Sequence, residues 1–361
     1  MPTRRRWLAL LLLPGLAGVF AVQAHGVDSP LCVPGQALPT RPLTSADVQL
    51  SGGIGRLHRY SVRSPAMGGS VQVDILDAPD MTHPFEVLYL LHGHGGNADD
   101  WSSHVDFEGK DLADIIGTRQ LLVVMPSGGY DGWYSDWYGV DADGHNGSTR
   151  PQWETLHIGE LVPYIDATYH PTGRLIAGLS MGGYGAMIYA ARHPHMFTAV
   201  GSFSGALDTQ LDYPAEPEVQ PLFQNTADRK EPDNCIWGEG VLQDDIWTAH
   251  NPTAQVSALR TIPIYASSGD GCAPSPENPD LTAPVTCATD GALSSPSQAS
   301  AMFTEWGVRQ QNEEFKKALL AVRGEHSPHT NFHFYAPGDH SWPYWMRELR
   351  SFLQWKDKHY S

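Results

Sequence analysis

Positive charge is scarce in this chain. Twenty-three lysines and arginines face 40 aspartates and glutamates across 361 residues, a formal net charge of −17. Such a surface repels phosphate backbones and anionic headgroups, so nucleic acid is not an expected partner. Cysteine is scarce too. The four, Cys32, Cys235, Cys272 and Cys287, stand at spacings that suit no zinc site. After the first two dozen residues no apolar run is long enough to span a bilayer. There is no internal repeat and no low-complexity tract.

What is present begins with the opening stretch, "MPTRRRWLALLLLPGLAGVFAVQAHG". An arginine cluster, an apolar run broken by Pro14 and Gly15, and small residues at Val22 and Ala24 form the three-part layout of a secretory signal, with cleavage expected after Ala24. The arginines also resemble a twin-arginine export signal. Losing them takes the mature chain to about −20. Export to the extracellular space or cell envelope gives the even cysteine count a meaning, since two disulfides are expected in an oxidising compartment. Three pairings are possible. Cys272 with Cys287 would staple a proline-rich loop, and Cys32 with Cys235 would tie down the mature N-terminus.

The expected organisation is a signal peptide over 1–24, an extended lead-in over 25–51 and a single domain over 52–361. "LHRYSVRS" and "GSVQVDIL" alternate, as half-buried antiparallel strands do. From Val87 the pattern changes to short continuous apolar runs ending in glycine-bearing loops: "VLYLLHGHGG", "LLVVMPSGG", "RLIAGLSMGG", "AVGSFSG", "IPIYASSGDG" and "FHFYAPGDHSW". Continuous hydrophobicity marks strands covered on both faces, as in a parallel sheet. Helical spacing lies between them, over Phe107–Arg119, Gln152–Tyr169, Met181–Arg192 and Ser300–Val322, with a last helix from Trp342 to about Lys356. This alternation predicts an α/β fold with a mostly parallel central sheet and helices on both faces. Two long Pro-, Asp- and Ser-rich segments, 208–251 and 271–297, are expected to lie over a site or be disordered.

The chemistry centres on "GLSMGGYGAM". G-x-S-x-G alone is a weak signal in a glycine-rich chain, but here the serine ends an apolar run and opens an amphipathic stretch. A strand–turn–helix of this kind lifts the Ser180 hydroxyl above the strand ends as a candidate nucleophile. Its general base should follow the last strand, where His340 stands in "YAPGDHSW". For the acid that orients the base, spacing favours Asp270 at the end of "IPIYASSGD", with Glu305 and Asp208 as alternatives. A tetrahedral intermediate needs hydrogen-bond donors for its oxyanion. The Met181 N–H and the His94 N–H, in "HGHGG", are the candidates. Metal ligation by His92 and His94 is not expected, because no carboxylate partner follows at a recognisable spacing. "DADGHNG" has its glycine out of place for a calcium loop and reads as an acidic surface loop. The aromatics of "GWYSDWY" fit sugar stacking and loop packing equally.

These residues resemble a known family. "YSDWY", "WET", "GLSMGG", the "HP" after that helix and "GDHSWPYWMREL" are similar to the esterase D group of α/β-hydrolases, and within it to the secreted mycolyltransferases of the antigen 85 type. The similarity runs from about Val71 to Leu353. It implies the α/β-hydrolase fold and acyl-ester chemistry without a cofactor. It also implies His340 as catalytic histidine and Trp342 as a neighbouring site tryptophan; Trp137, within "YSDWY", is a further candidate for the substrate side. The family's acid opens a glutamate–x–x–valine–arginine helix, and "EWGVRQQNEEF" matches it through Glu305, Val308 and Arg309, so the resemblance prefers Glu305 and leaves Asp270 as runner-up. The chain departs from the mycolyltransferases in "HGHGG", where they carry an aspartate and an arginine, and in "GVDADGHNGSTR", which replaces their short disulfide loop. The expected activity is therefore serine-ester hydrolysis through an acyl-enzyme on a small-molecule, lipid or sugar ester. Transfer of the acyl group to a sugar or glycerol hydroxyl is the alternative.

Overall fold

The structure, a computed structural model, describes residues 32–141, 149–211, 234–238, 243–274, 285–287, 296–325 and 327–360. The expected signal peptide, its cleavage point and most of "DADGHNG" lie outside these residues.

The strands in chain order are β1 (Cys32–Pro34), β2 (Val48–Ile54), β3 (Leu57–Ser64), β4 (Gly69–Leu76), β5 (Glu86–Leu91), β6 (Leu121–Pro126), β7 (Gly139–Asp141), β8 (Arg174–Leu179), β9 (Ala199–Phe203), β10 (Ile264–Ser268), β11 (Cys272–Pro274), β12 (Val285–Cys287) and β13 (Thr330–Phe334). Nine of them form one sheet in the order β13-β10-β9-β8-β5-β6-β4-β3-β2. From β6 to β13 the pairings are parallel, while β2, β3 and β4 add an antiparallel edge. The small pairs β1·β7 and β11·β12 each carry one disulfide nearby, Cys32–Cys235 and Cys272–Cys287, which are the two bridges named from the sequence.

The continuous apolar runs follow from burial on both faces. In β5, Val87, Tyr89 and Leu91 pack with the helix Met181–Arg192, whereas Leu88 and Leu90 pack with Trp101 and the helix Trp342–Tyr360. Strand β2 is the opposite case. It is mostly exposed, carries a bulge at Leu50/Gly52, and runs across the point where the lead-in was expected to end.

Helix bounds differ from the expected ones, most of all in the first two helical stretches. Within Phe107–Arg119 the helix is confined to Leu112–Ile116, and a separate short helix, Asp100–Ser103, precedes the span. The reason is local. The Asp106 carboxylate accepts from the Glu108 and Lys110 amides, and Gly109 has φ +75°, so the chain turns before a capping box at Asp111 and Asp114 starts the helix. The stretch from Gln152 opens with a π-helical segment, Thr155–Leu161, and continues as an α-helix, Val162–Tyr169. The helix near the acid runs Pro296–Arg323.

Chain connectivity reverses at β5. From β5 the chain goes to β6 on one side and then returns to β8 on the other. Such a switch opens a crevice at the carboxyl ends of the strands, and His92 and Ser180 directly follow β5 and β8 there. Among the described residues, no helix is long and apolar enough to cross a membrane.

Candidate active site

Ser180 sits between β8 and the helix Met181–Arg192 at φ +51°, ψ −122°, a backbone conformation that side-chain-bearing residues rarely adopt. The glycines around it are sterically required. A Cβ on Gly178 would lie 2.3 Å from the Gly182 carbonyl oxygen, and one on Gly182 would lie 2.4 Å from the Leu91 oxygen. The turn is thus clamped between its own helix and the loop after β5, with the helix N-terminus directed at the serine.

His340 follows β13 and its Nε2 lies 2.9 Å from Ser180 Oγ. Its Nδ1 lies 2.7 Å from Glu305 Oε2, and the glutamate side chain is fully buried. With a carboxylate on Nδ1, that nitrogen carries the proton and Nε2 is left free to accept the serine hydroxyl. The structure therefore brings Ser180, His340 and Glu305 together in hydrogen-bonded sequence. Asp270 takes another place. Its carboxylate accepts from the backbone amides of Cys272 and Gly338, bracing two loops, and makes no bond to His340. Asp208 accepts from Asn251 and belongs to a different loop.

Around Glu305 is a network absent from the sequence reading. The Ser204 hydroxyl and the Gly269 amide both donate to Glu305 Oε1, at 2.8 and 2.5 Å. The Trp345 indole N–H donates to Ser204 Oγ at 3.1 Å, and its ring meets His340 edge-on at 4.9 Å. Ser204 is itself at φ +51° on the end of β9. Its signal in the sequence was a polar residue where a buried strand reaches the crevice; Trp345 stood unremarked in "SWPYWMREL".

Gly93, in the loop after β5, lies against the serine, since a Cβ there would be 3.3 Å from the Ser180 Cβ. Among the described residues, no carbonyl accepts from the Met181 or His94 amide, although Gly95 and Gly96 on the same loop are bonded to Tyr130 and Gly93. Met181 directly follows the serine and His94 directly follows Gly93, so both amides stand on the two segments that meet at Ser180. The His94 ring packs edge-on against Tyr130 and lies 3.8 Å from Asp131.

The tryptophans divide. Trp342 is partly exposed at the start of the last helix, stacked on His104 with ring centroids 3.9 Å apart. Trp137, expected on the substrate side, is a correction. It is 3% exposed in the core, and its indole donates to the Gly132 carbonyl, so no face is left for a ligand. Trp133 and Tyr134 are buried too, so three of the four aromatics in "GWYSDWY" pack inward, while Tyr138 is partly exposed. Among the described residues, no group of His, Cys, Asp and Glu could hold a metal ion.

Comparison with known proteins identifies the family and the fold. Residues 64–355 match the Esterase family model. The diacylglycerol acyltransferase/mycolyltransferase Ag85B of Mycolicibacterium smegmatis is 30% identical over 96% of this chain and 92% of its own length. Among solved structures, MPT51 of Mycobacterium tuberculosis is similar at a TM-score of 0.59 and 24% identity, over 81% of this chain and 95% of that one. An S-formylglutathione hydrolase from Agrobacterium tumefaciens gives 0.58 and 17%, over 87% and 100%. Both structural likenesses are of fold, and hydrolase or acyltransferase activity on esters goes with the sequence family. The strand switch, the glycine-clamped serine turn and the matched span together make this chain a member of the Esterase family.

Proposed function

We propose that the protein is a secreted serine esterase. Ser180 Oγ attacks the acyl carbonyl while His340 Nε2 takes its proton, and Glu305 stabilises the imidazolium that forms. The Met181 and His94 amides hold the oxyanion of the tetrahedral intermediate. His340 then protonates the leaving alcohol, an acyl-enzyme remains on Ser180, and water activated by His340 releases the acid. The reaction needs no cofactor. The partly exposed Trp342 borders the substrate side. One observation carries the reading: a single imidazole within 2.9 Å of Ser180 Oγ and 2.7 Å of a buried carboxylate.

Secretion is part of the proposal. It is supported by the signal-like N-terminus and by two disulfides, which persist in oxidising compartments.

The test is hydrolysis of short-chain p-nitrophenyl esters by the mature protein beside Ser180→Ala. The proposal expects turnover in the first and loss by at least about a thousandfold in the second. Equal turnover in both would overturn it. A second reading, acyl transfer, is favoured by the mycolyltransferase relative matching 96% of the chain. Product analysis with and without trehalose or glycerol separates the two. New acylated sugar or glycerol would favour transfer, and free acid alone would favour hydrolysis.

A further inference from the structure

The loop that carries the His94 amide is held by its carbonyls. The Trp101 indole donates to the Leu91 oxygen at 2.9 Å and the Tyr134 hydroxyl to the His92 oxygen at 2.9 Å. The next carbonyl, Gly93, lies 2.7 Å from His92 Nδ1. In a trans peptide the carbonyl and the following N–H point opposite ways. Holding the Gly93 oxygen on the inside therefore turns the His94 N–H outward, on the loop whose Gly93 lies against Ser180.

The tautomer of His92 follows from its other partner. The Gly128 amide donates to His92 Nε2 at 2.7 Å, so Nε2 carries no proton and Nδ1–H is the donor to Gly93. The same peptide unit continues the pattern backwards. Its carbonyl, on Ser127, lies 2.9 Å from His157 Nε2, which must be the protonated nitrogen. His157 Nδ1 then accepts from the Tyr189 hydroxyl, also at 2.9 Å. Burial holds both imidazoles neutral, pushing each down to about 4. Every donor in this chain faces the same way: Tyr189 to His157, His157 to Ser127, Gly128 to His92, His92 to Gly93. The next donor in line is the His94 amide.

We infer that this one-way chain of hydrogen bonds makes His92, and behind it His157 and Tyr189, positioning residues that aim and polarise the His94 amide toward the oxyanion. The inference rests on the esterase reading. A hydrogen bond polarised from behind is a stronger donor, so the chain supplies transition-state stabilisation without placing a charge beside the substrate. None of the three side chains touches the reacting atoms. Direct ground-state binding is thus not their contribution.

The test uses a matched pair of aryl esters differing only in a carbonyl or a thiocarbonyl. Sulfur accepts hydrogen bonds weakly, so the thionoester draws little from the oxyanion donors. For His92→Ala we expect kcat on the oxygen ester to fall about tenfold to a hundredfold, short of the full loss of a donor. KM should stay within about twofold and the thionoester rate should be nearly unchanged, collapsing the oxygen-to-sulfur ratio. Tyr189→Phe is isosteric and remote, and should lower the same ratio about twofold to fivefold. It decides the matter should His92→Ala not fold. Equal loss on both esters, or an unchanged ratio in both variants, would overturn the inference. Ser180→Ala, run alongside, reads the nucleophile separately: full turnover there would sink the esterase reading itself.

Discussion

The two sides of Ser180 are built from different materials. The proton-transfer side is ionic: His340 leans on a fully buried glutamate, itself fixed by a serine hydroxyl and a backbone amide. The side proposed for the oxyanion relies on peptide N–H groups, backed by two histidines that burial keeps neutral and a tyrosine, with the Asp131 carboxylate 3.8 Å from the His94 ring. The difference has a physical reason. A forming imidazolium needs a full countercharge to be stabilised in a buried site. An oxyanion exists only transiently, and a permanent cation beside it would also hold the carboxylate product. Neutral, aimed dipoles favour the transition state more selectively.

That contrast can be broken from either side. The largest effect belongs to the charged side. Glu305→Gln keeps the shape but removes the countercharge and can leave the wrong histidine tautomer; kcat on esters should fall by about ten-thousandfold, measured under saturating substrate. A loss under tenfold would mean that the carboxylate is not the orienting group. Ser204→Ala takes one donor from Glu305 and one acceptor from the Trp345 indole. It should lower kcat by about tenfold with KM nearly unchanged, and cost about 1–3 kcal/mol of stability through the unpaired indole.

A smaller effect separates the sides by pH. His92 and His157 stay neutral in the fold down to about 4 because burial disfavours their charged forms. An unfolded histidine protonates near about 6.5. Between those values the unfolded chain binds more protons, so the stability these groups provide is complete above about pH 6.5 and falls as pH is lowered through the window. Each contributes a slope of up to about 1.4 kcal/mol per pH unit. Denaturant melts at pH 7, 6 and 5 check this, and His92→Asn should flatten the decline by one histidine's share. An identical slope in wild type and variant would show that His92 is not held neutral.

The sequence revealed these regions unequally, for physical reasons. Strands β5, β6, β8, β9, β10 and β13 were visible because burial on both faces demands unbroken apolar runs. Strand β2 was hidden by its exposure and its glycines. The positions of Ser180 and His340 were legible because the strand–turn–helix and the end of the last strand fix where they stand. The carboxylate that meets His340 Nδ1 was not legible from spacing. Asp270 occupies the customary place, yet its carboxylate is occupied by the amides of Cys272 and Gly338, whereas Glu305 reaches His340 from a helix 35 residues before it. Family resemblance, rather than strand order, identified that helix. Trp137 misled because an aromatic beside a site reads the same whether it faces ligand or core. The histidine–peptide chain behind His94 was invisible, since it joins positions in the 92, 127, 157 and 189 regions through backbone groups that sequence does not mark.

The most direct measurement is the rate at which a fluorophosphonate probe labels the mature wild-type protein, Ser180→Ala, Glu305→Gln and Asp270→Asn, with the modified residue located by mass spectrometry. The account predicts one adduct, on Ser180, forming at near wild-type rate in Asp270→Asn, at least about a hundredfold more slowly in Glu305→Gln, and not at all in Ser180→Ala. Labelling of another residue, or a slow Asp270→Asn beside an unimpaired Glu305→Gln, would contradict it.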